Sequence, residues 1–154
     1  MSDIYSMPGH LIRRLHQISV SVFSGQMKKL RSDLTPPQFA ALSMLDVHPQ
    51  IDQATLAGLI ACDRPTTGGI IDRLMTKGLI ERKTNPKDRR AKVLTLTTEG
   101  VALLEALKPA VEASQSAILA GLNEAEQQEF IRLAAKVAKA GNELSRAPLQ
   151  MNTD

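Results

Sequence analysis

Six of the eleven positions from Arg82 to Lys92 are cationic: Arg82, Lys83, Lys87, Arg89, Arg90 and Lys92. Crowded into a polar stretch that holds Asn85 and Pro86, such side chains suit the binding of a polyanion, with arginine offering a planar donor fork. A solvated charged face is the alternative. A second polar group lies near the N-terminus. Wound at about 100° per residue, the segment from Pro8 places His16 and Ser19 among Ile12, Leu15 and Phe23, with Arg14 at the border beside Ile18. Buried polar groups need partners. A carboxylate ligand could take a charge-assisted bond from Arg14, with His16 and Ser19 as further polar contacts and His10 as an additional candidate. The competing reading makes His16 a satisfied core or interface histidine and Arg14 a surface ion-pair former.

Cys62 is the only cysteine, so no intrachain disulfide framework exists, and three scattered histidines do not form the usual zinc patterns. No metal or cofactor is expected. Cys62 sits near a helix start where a thiolate is favoured, which makes it a candidate redox sensor; the alternative is a small apolar packing residue. The six methionines are scattered and read as core filling.

These groups need a scaffold. A chain of 154 residues with 43% hydrophobic side chains suggests one domain over 1–154 with a buried core. No stretch is apolar enough to span a bilayer, and the N-terminus lacks the basic, apolar, small-residue order of a secretory signal, so a cytoplasmic location and no membrane partner are expected. The net charge of +3 is unevenly spread: residues 61–100 hold nine basic and five acidic side chains, residues 101–154 five and seven. A basic centre between neutral and acidic arms points to a local polyanion contact.

Helical periodicity from Pro8 to about Leu30 places Leu11, Leu15, Ile18 and Val22 on one stripe. Thr35, Pro36 and Gln38 predict a capping box and a second helix to about Asp46. Asp52 predicts a third, short helix to about Ala61, and Asp63 with Pro65 a fourth that closes at Gly78. The period then changes. Leu79–Lys83 and Ala91–Leu96 read as two strands around a basic tip. From Thr98 the chain is helical again, interrupted or bent near Pro109, and Asn123 with Glu126 opens a last helix to about Leu144.

Two short helices joined by a tight turn and followed by a hairpin describe a winged helix-turn-helix, in which the second helix enters a major groove and the wing lies along the backbone. Ala57 takes the small position where the helices cross, with Leu56, Ile60 and Ile70 as packing positions. The run DRL-x-x-KGLI-x-R (Asp72 to Arg82) followed by DRR-x-x-x-LTLT-x-x-G (Asp88 to Gly100) resembles the MarR family of transcriptional regulators, over roughly residues 8–145. The resemblance implies a mainly α fold, a DNA-binding lobe at 34–98, and interlocking dimerisation helices at 8–32 and 99–146. It also implies a homodimer with a small-molecule pocket between lobe and helices. Arg64, Thr66, Thr67 and Gly68 fall where the family's recognition helix faces bases and phosphates, Arg90 on its wing arginine, and Asp88 on the acidic residue that orients the wing. Lys87, Arg89 and Lys92 then read as phosphate contacts.

One departure stands out. Gly68 and Gly69 occupy helical positions where the family more often has polar or basic side chains, each costing about 1 kcal/mol of helix propensity. Either the backbone there approaches DNA or another helix closely, or the helix is loose until DNA binds. The N-terminal PGHLIRRLHQISVSVF further resembles regulators of aromatic and N-heteroaromatic acid breakdown, including nicotinate catabolism.

The expected function is a dimeric repressor of a pseudo-palindromic double-stranded operator, released by a small aromatic acid such as hydroxynicotinate. A redox-responsive regulator acting through Cys62 and a helical module that binds an acidic protein are the rivals. No phosphate-binding glycine loop, nucleophile elbow or metal-ligand cluster supports an enzyme.

Overall fold

The computed structural model describes residues 3–151. Six helices and one hairpin run in the order α1 (Pro8–Lys29), α2 (Pro36–Val47), α3 (Gln53–Leu59), α4 (Arg64–Thr76), β1 (Ile80–Thr84), β2 (Lys92–Leu96), α5 (Thr98–Ile118) and α6 (Glu124–Ala140). Single 3₁₀ turns stand at Ile4–Ser6 and Asn142–Leu144.

The expected caps hold their helices. Thr35 and Gln38 form a reciprocal capping box on α2, and Asn123 and Glu126 form one on α6. Asp52 accepts from Thr55 N–H at 2.7 Å and Asp63 from Thr66 N–H at 2.8 Å, satisfying donors that a helix start leaves free. After α4, Gly78 takes φ +72°, a left-handed conformation that costs glycine little, and the chain turns into β1. The strands pair antiparallel from Ile80↔Leu96 to Thr84↔Lys92. A short bridge, Ile51↔Leu94, with Leu94 N–H donating to Ile51 C=O at 2.8 Å, fastens the hairpin base to the segment before α3.

The core lies where α2, α3, α4 and the hairpin base meet α5. Leu42, Leu56, Ile71, Leu74, Leu94 and Leu104 are essentially without exposure, and each contributes about 2 kcal/mol of burial.

Three expectations need correction. The apolar stripe of α1 is buried only at Phe23 and Met27; Leu11, Ile12 and Ile18 are exposed in the single chain because α5 covers the C-terminal part alone. The helix from Thr98 is not interrupted at Pro109: it runs through this exposed residue, so the carbonyl left free one turn earlier can be hydrated. The last helix ends at Ala140 rather than near Leu144, because Gly141 caps it and the Asn142 side chain binds the backbone of Leu149. Tyr5, just before α1, sits in a capped 3₁₀ turn with its ring edge-on to His10 at 5.5 Å.

No residue of α6 is buried, and Phe130, Leu133, Ala134 and Val137 share one face of it. Among the described residues no helix is long and apolar enough to cross a membrane, and no cluster of His, Cys, Asp and Glu could hold a metal ion.

Candidate nucleic-acid interface

The hairpin lifts its cations clear of the protein. In the loop that closes β1 and β2, Asp88 Oδ1 accepts from the Arg90 backbone N–H at 3.0 Å, and Asn85 Oδ1 accepts from Lys87 N–H at 2.9 Å. These are side-chain turns that use short acceptors to fold the backbone. Lys87, Arg89 and Arg90 are exposed on them, and none makes an ion pair among the described residues. The other cations of the run are partly committed. Lys83 pairs with Glu81 at 2.7 Å, Lys92 Nζ donates to Thr84 Oγ1 at 2.9 Å, and Arg82 Nη2 donates to Gln53 Oε1 at 3.1 Å.

That last contact joins the wing to the helix pair. Gln53 opens α3, and its amide Nε2 would lie 3.3 Å from a Cβ added at Gly68 on α4. Gly68 thus lies beside the Gln53 amide, which in turn holds Arg82. Of the paired glycines, Gly68 has the end of the Gln53 side chain of α3 as its neighbour, while Gly69 faces open space. The sequence reading missed Gln53, whose only local role is to start a helix.

Arg64 and Thr66 are exposed on the first turn of α4, beside the cap Asp63. The Thr66 backbone N–H, then its side chain, hold the Asp63 carboxyl below its ordinary range. Thr67 leaves the set. Its side chain is fully buried and its hydroxyl donates to Asp63 C=O at 2.8 Å. The signal was available: 67, 70, 71 and 74 keep the i, i+3, i+4, i+7 spacing of the buried stripe that Ile70, Ile71 and Leu74 define. Cys62 packs half-buried against the core, where burial, then the Asp63 charge, push its thiol up, away from the reactive thiolate.

A cavity of about 460 Å³ opens between α1, α2 and α5. Phe23 and Phe39, edge to face at 5.8 Å, line it with Ser19, Ser43, Lys108 and Gln115. Of the four ligand candidates only Ser19 is in this wall. Arg14 and His16 are exposed on α1, and His10 lies against Tyr5 with a buried Nε2 that has no partner among the described residues. Arg14 misses the cavity because five residues turn it roughly 140° from Ser19. The cation in the wall is Lys108, paired with Asp46 at 2.7 Å.

Comparison with known proteins follows the same lines. The MarR family model matches residues 34–92. The HTH-type transcriptional repressor NicR of Pseudomonas putida is 32% identical over 135 residues, 88% of this chain and 84% of NicR. Among solved structures, the PcaV transcriptional regulator from Streptomyces coelicolor, in complex with its natural ligand, superposes with TM-score 0.81 at 32% identity, covering 92% of this chain and 98% of PcaV. Bordetella bronchiseptica BpsR, whose DNA binding is regulated by 6-hydroxynicotinic acid, does so with TM-score 0.82 at 31% identity, covering 90% and 97%.

Proposed function

The chain belongs to the MarR family of transcriptional regulators, and from that membership we propose that it is a repressor that binds a paired DNA site as a homodimer and leaves it when a small aromatic acid binds. The observation that carries the DNA-binding reading is the set of solvent-facing cations Lys87, Arg89 and Arg90, without ion pairs among the described residues, on a side-chain-braced turn that Arg82 fastens to Gln53 of α3, the helix paired with the one that presents Arg64 and Thr66. A groove-entering helix and a backbone-tracking wing need that fixed relation.

The uncovered apolar faces of α1 and α6 supply the dimer contact. Leu11, Ile12, Leu133 and Val137 are each more than two-fifths exposed in one chain, and a second copy is the partner that a two-fold operator reader requires. Two half-sites about 10 base pairs apart then face the same side of the duplex. Selection of bound duplexes from a random library, with footprinting, tests this reading. Paired protection is expected, with affinity that falls about a thousandfold between 50 and 200 mM salt. A flat salt response or a single half-site held by a monomer would reject it.

The effector reading rests on the cavity. Phe23 and Phe39 offer ring faces and edges to an aromatic acid, Ser19 and Ser43 offer hydroxyls, and Lys108 a cation. The cavity joins α2, within the DNA-binding lobe, to α1 and α5, so an occupant favours one angle between them and shifts the spacing of the two α4 helices. Arg14 and His16 belong to the site through the dimer, because they lie on the exposed part of α1. Calorimetry with 6-hydroxynicotinate checks the assignment. Ser19→Leu, which intrudes on the cavity and removes a hydroxyl, is expected to weaken binding strongly; Arg14→Ala and His16→Ala should weaken it about tenfold or more while DNA affinity without the acid is kept. Undiminished acid binding in all three variants would place the pocket elsewhere.

A further inference from the structure

The ten residues after α6 do more than end the chain. After the Asn142–Leu144 turn they fold back onto the helix pair, and the Gln150 backbone N–H donates to Gly58 C=O at 2.9 Å. Gly58 is shaped for this contact: a Cβ there would lie 2.9 Å from Gln150 Cβ and 3.4 Å from its carbonyl oxygen. The Asn142 side chain closes the loop from the other end, accepting from Leu149 N–H at 2.8 Å and donating to Leu149 C=O at 3.0 Å. Ala147 and Pro148 line a depression together with Ala54, Ala57, Cys62, Asp63 and Arg64. The docked segment delivers one cation. Arg146 Nη2 stands 3.8 Å from Asp63 Oδ2, and its side chain is 93% exposed.

Asp63 is a liability where it stands. It caps α4 well, but its carboxylate lies at the end of the helix that would face phosphates. Arg146 offsets that charge from outside the helix pair. Its ion pair is long, and none of the hydrogen bonds among the described residues uses its guanidinium, which leaves the planar donor fork available. Arg146 is also the only cation after Lys139 in an arm that is otherwise acidic.

We propose that the C-terminal segment is a third DNA-contacting element, seated on Gly58 and carrying Arg146 to a phosphate beside the first turn of α4. This rests on the DNA-binding reading above. Each dimer gains two phosphate contacts by this route, one per protomer.

The test compares wild type, Arg146→Ala, Arg146→Lys and, as a control for net charge, Arg132→Ala on α6, using full-length protein and a duplex selected by the wild type. Affinity is measured by fluorescence anisotropy across a salt series. Loss of two phosphate contacts flattens the log–log salt slope by about 2. Arg146→Ala is expected to show that flattening and about tenfold weaker binding near 0.15 M salt, with an unchanged melting temperature. Arg146→Lys and Arg132→Ala should keep the wild-type slope. An unchanged slope in Arg146→Ala overturns the proposal, even if affinity falls, because the residue then only positions others. An equal change in Arg132→Ala overturns it as a general charge effect. Wild type that binds no duplex fails the underlying DNA-binding reading instead.

Discussion

Arg90→Ala is expected to cut operator affinity by roughly a hundredfold or more at matched salt while leaving the fold intact. Arg90 sits at the wing tip, exposed and without an ion pair among the described residues, where only its backbone N–H is used, by Asp88 Oδ1. The side chain therefore supports no core. A narrow minor groove concentrates negative potential, and an inserted guanidinium is worth about 1–3 kcal/mol per contact, counted twice in a dimer. Lys83→Ala makes the comparison, since Lys83 is already paired with Glu81 and should lose far less. Arg90→Lys should fall between, keeping the charge but not the fork. Anisotropy titrations beside thermal melts decide it: equal affinity in wild type and Arg90→Ala would exclude a groove contact, and a lowered melting temperature would mean the side chain is structural.

Gly100→Ala should be strongly damaging at the junction between the DNA-binding lobe and α5. Gly100 lies in the first turn of α5, where Thr97 fastens the helix start to the end of α4. The Thr97 hydroxyl donates to Gly78 C=O at 2.6 Å, its backbone N–H donates to Leu79 C=O at 3.0 Å, and its Oγ1 accepts from Gly100 N–H at 3.0 Å. A Cβ at Gly100 would overlap the carbonyl oxygen of Leu79, a backbone atom that no side-chain movement can shift. No rotamer relieves that overlap. Helix propensity alone predicts the opposite sign, a gain of about 1 kcal/mol from alanine. Separation of α5 from the α4–β1 turn should dominate, at about 3 kcal/mol or more. For a chain of this size, that corresponds to a melting temperature lower by roughly 6–12 °C. Urea and thermal unfolding of the variant check the sign directly; a more stable protein would mean that α5 moves aside freely.

The sequence by itself determined whatever is settled within a few residues. Thr35 with Gln38, Asp52, Asp63 and Asn123 with Glu126 all cap as their spacing predicts, because a helix start needs acceptors within one turn and those side chains reach no farther. The change of period at Leu79, the hairpin and its cationic tip were legible for the same reason. Which face of each element turns inward was decided only by tertiary structure. Thr67 joins the buried stripe of α4, Leu11 and Ile18 of α1 find nothing in the chain to cover them, and Arg14 turns away from the cavity that Ser19 lines. The bond from Arg82 to Gln53, the bridge from Ile51 to Leu94 and the seat of Gln150 on Gly58 join residues 29, 43 and 92 positions apart. Such contacts leave no periodic trace, since their strength comes from the closeness of surfaces that meet only after the chain has folded.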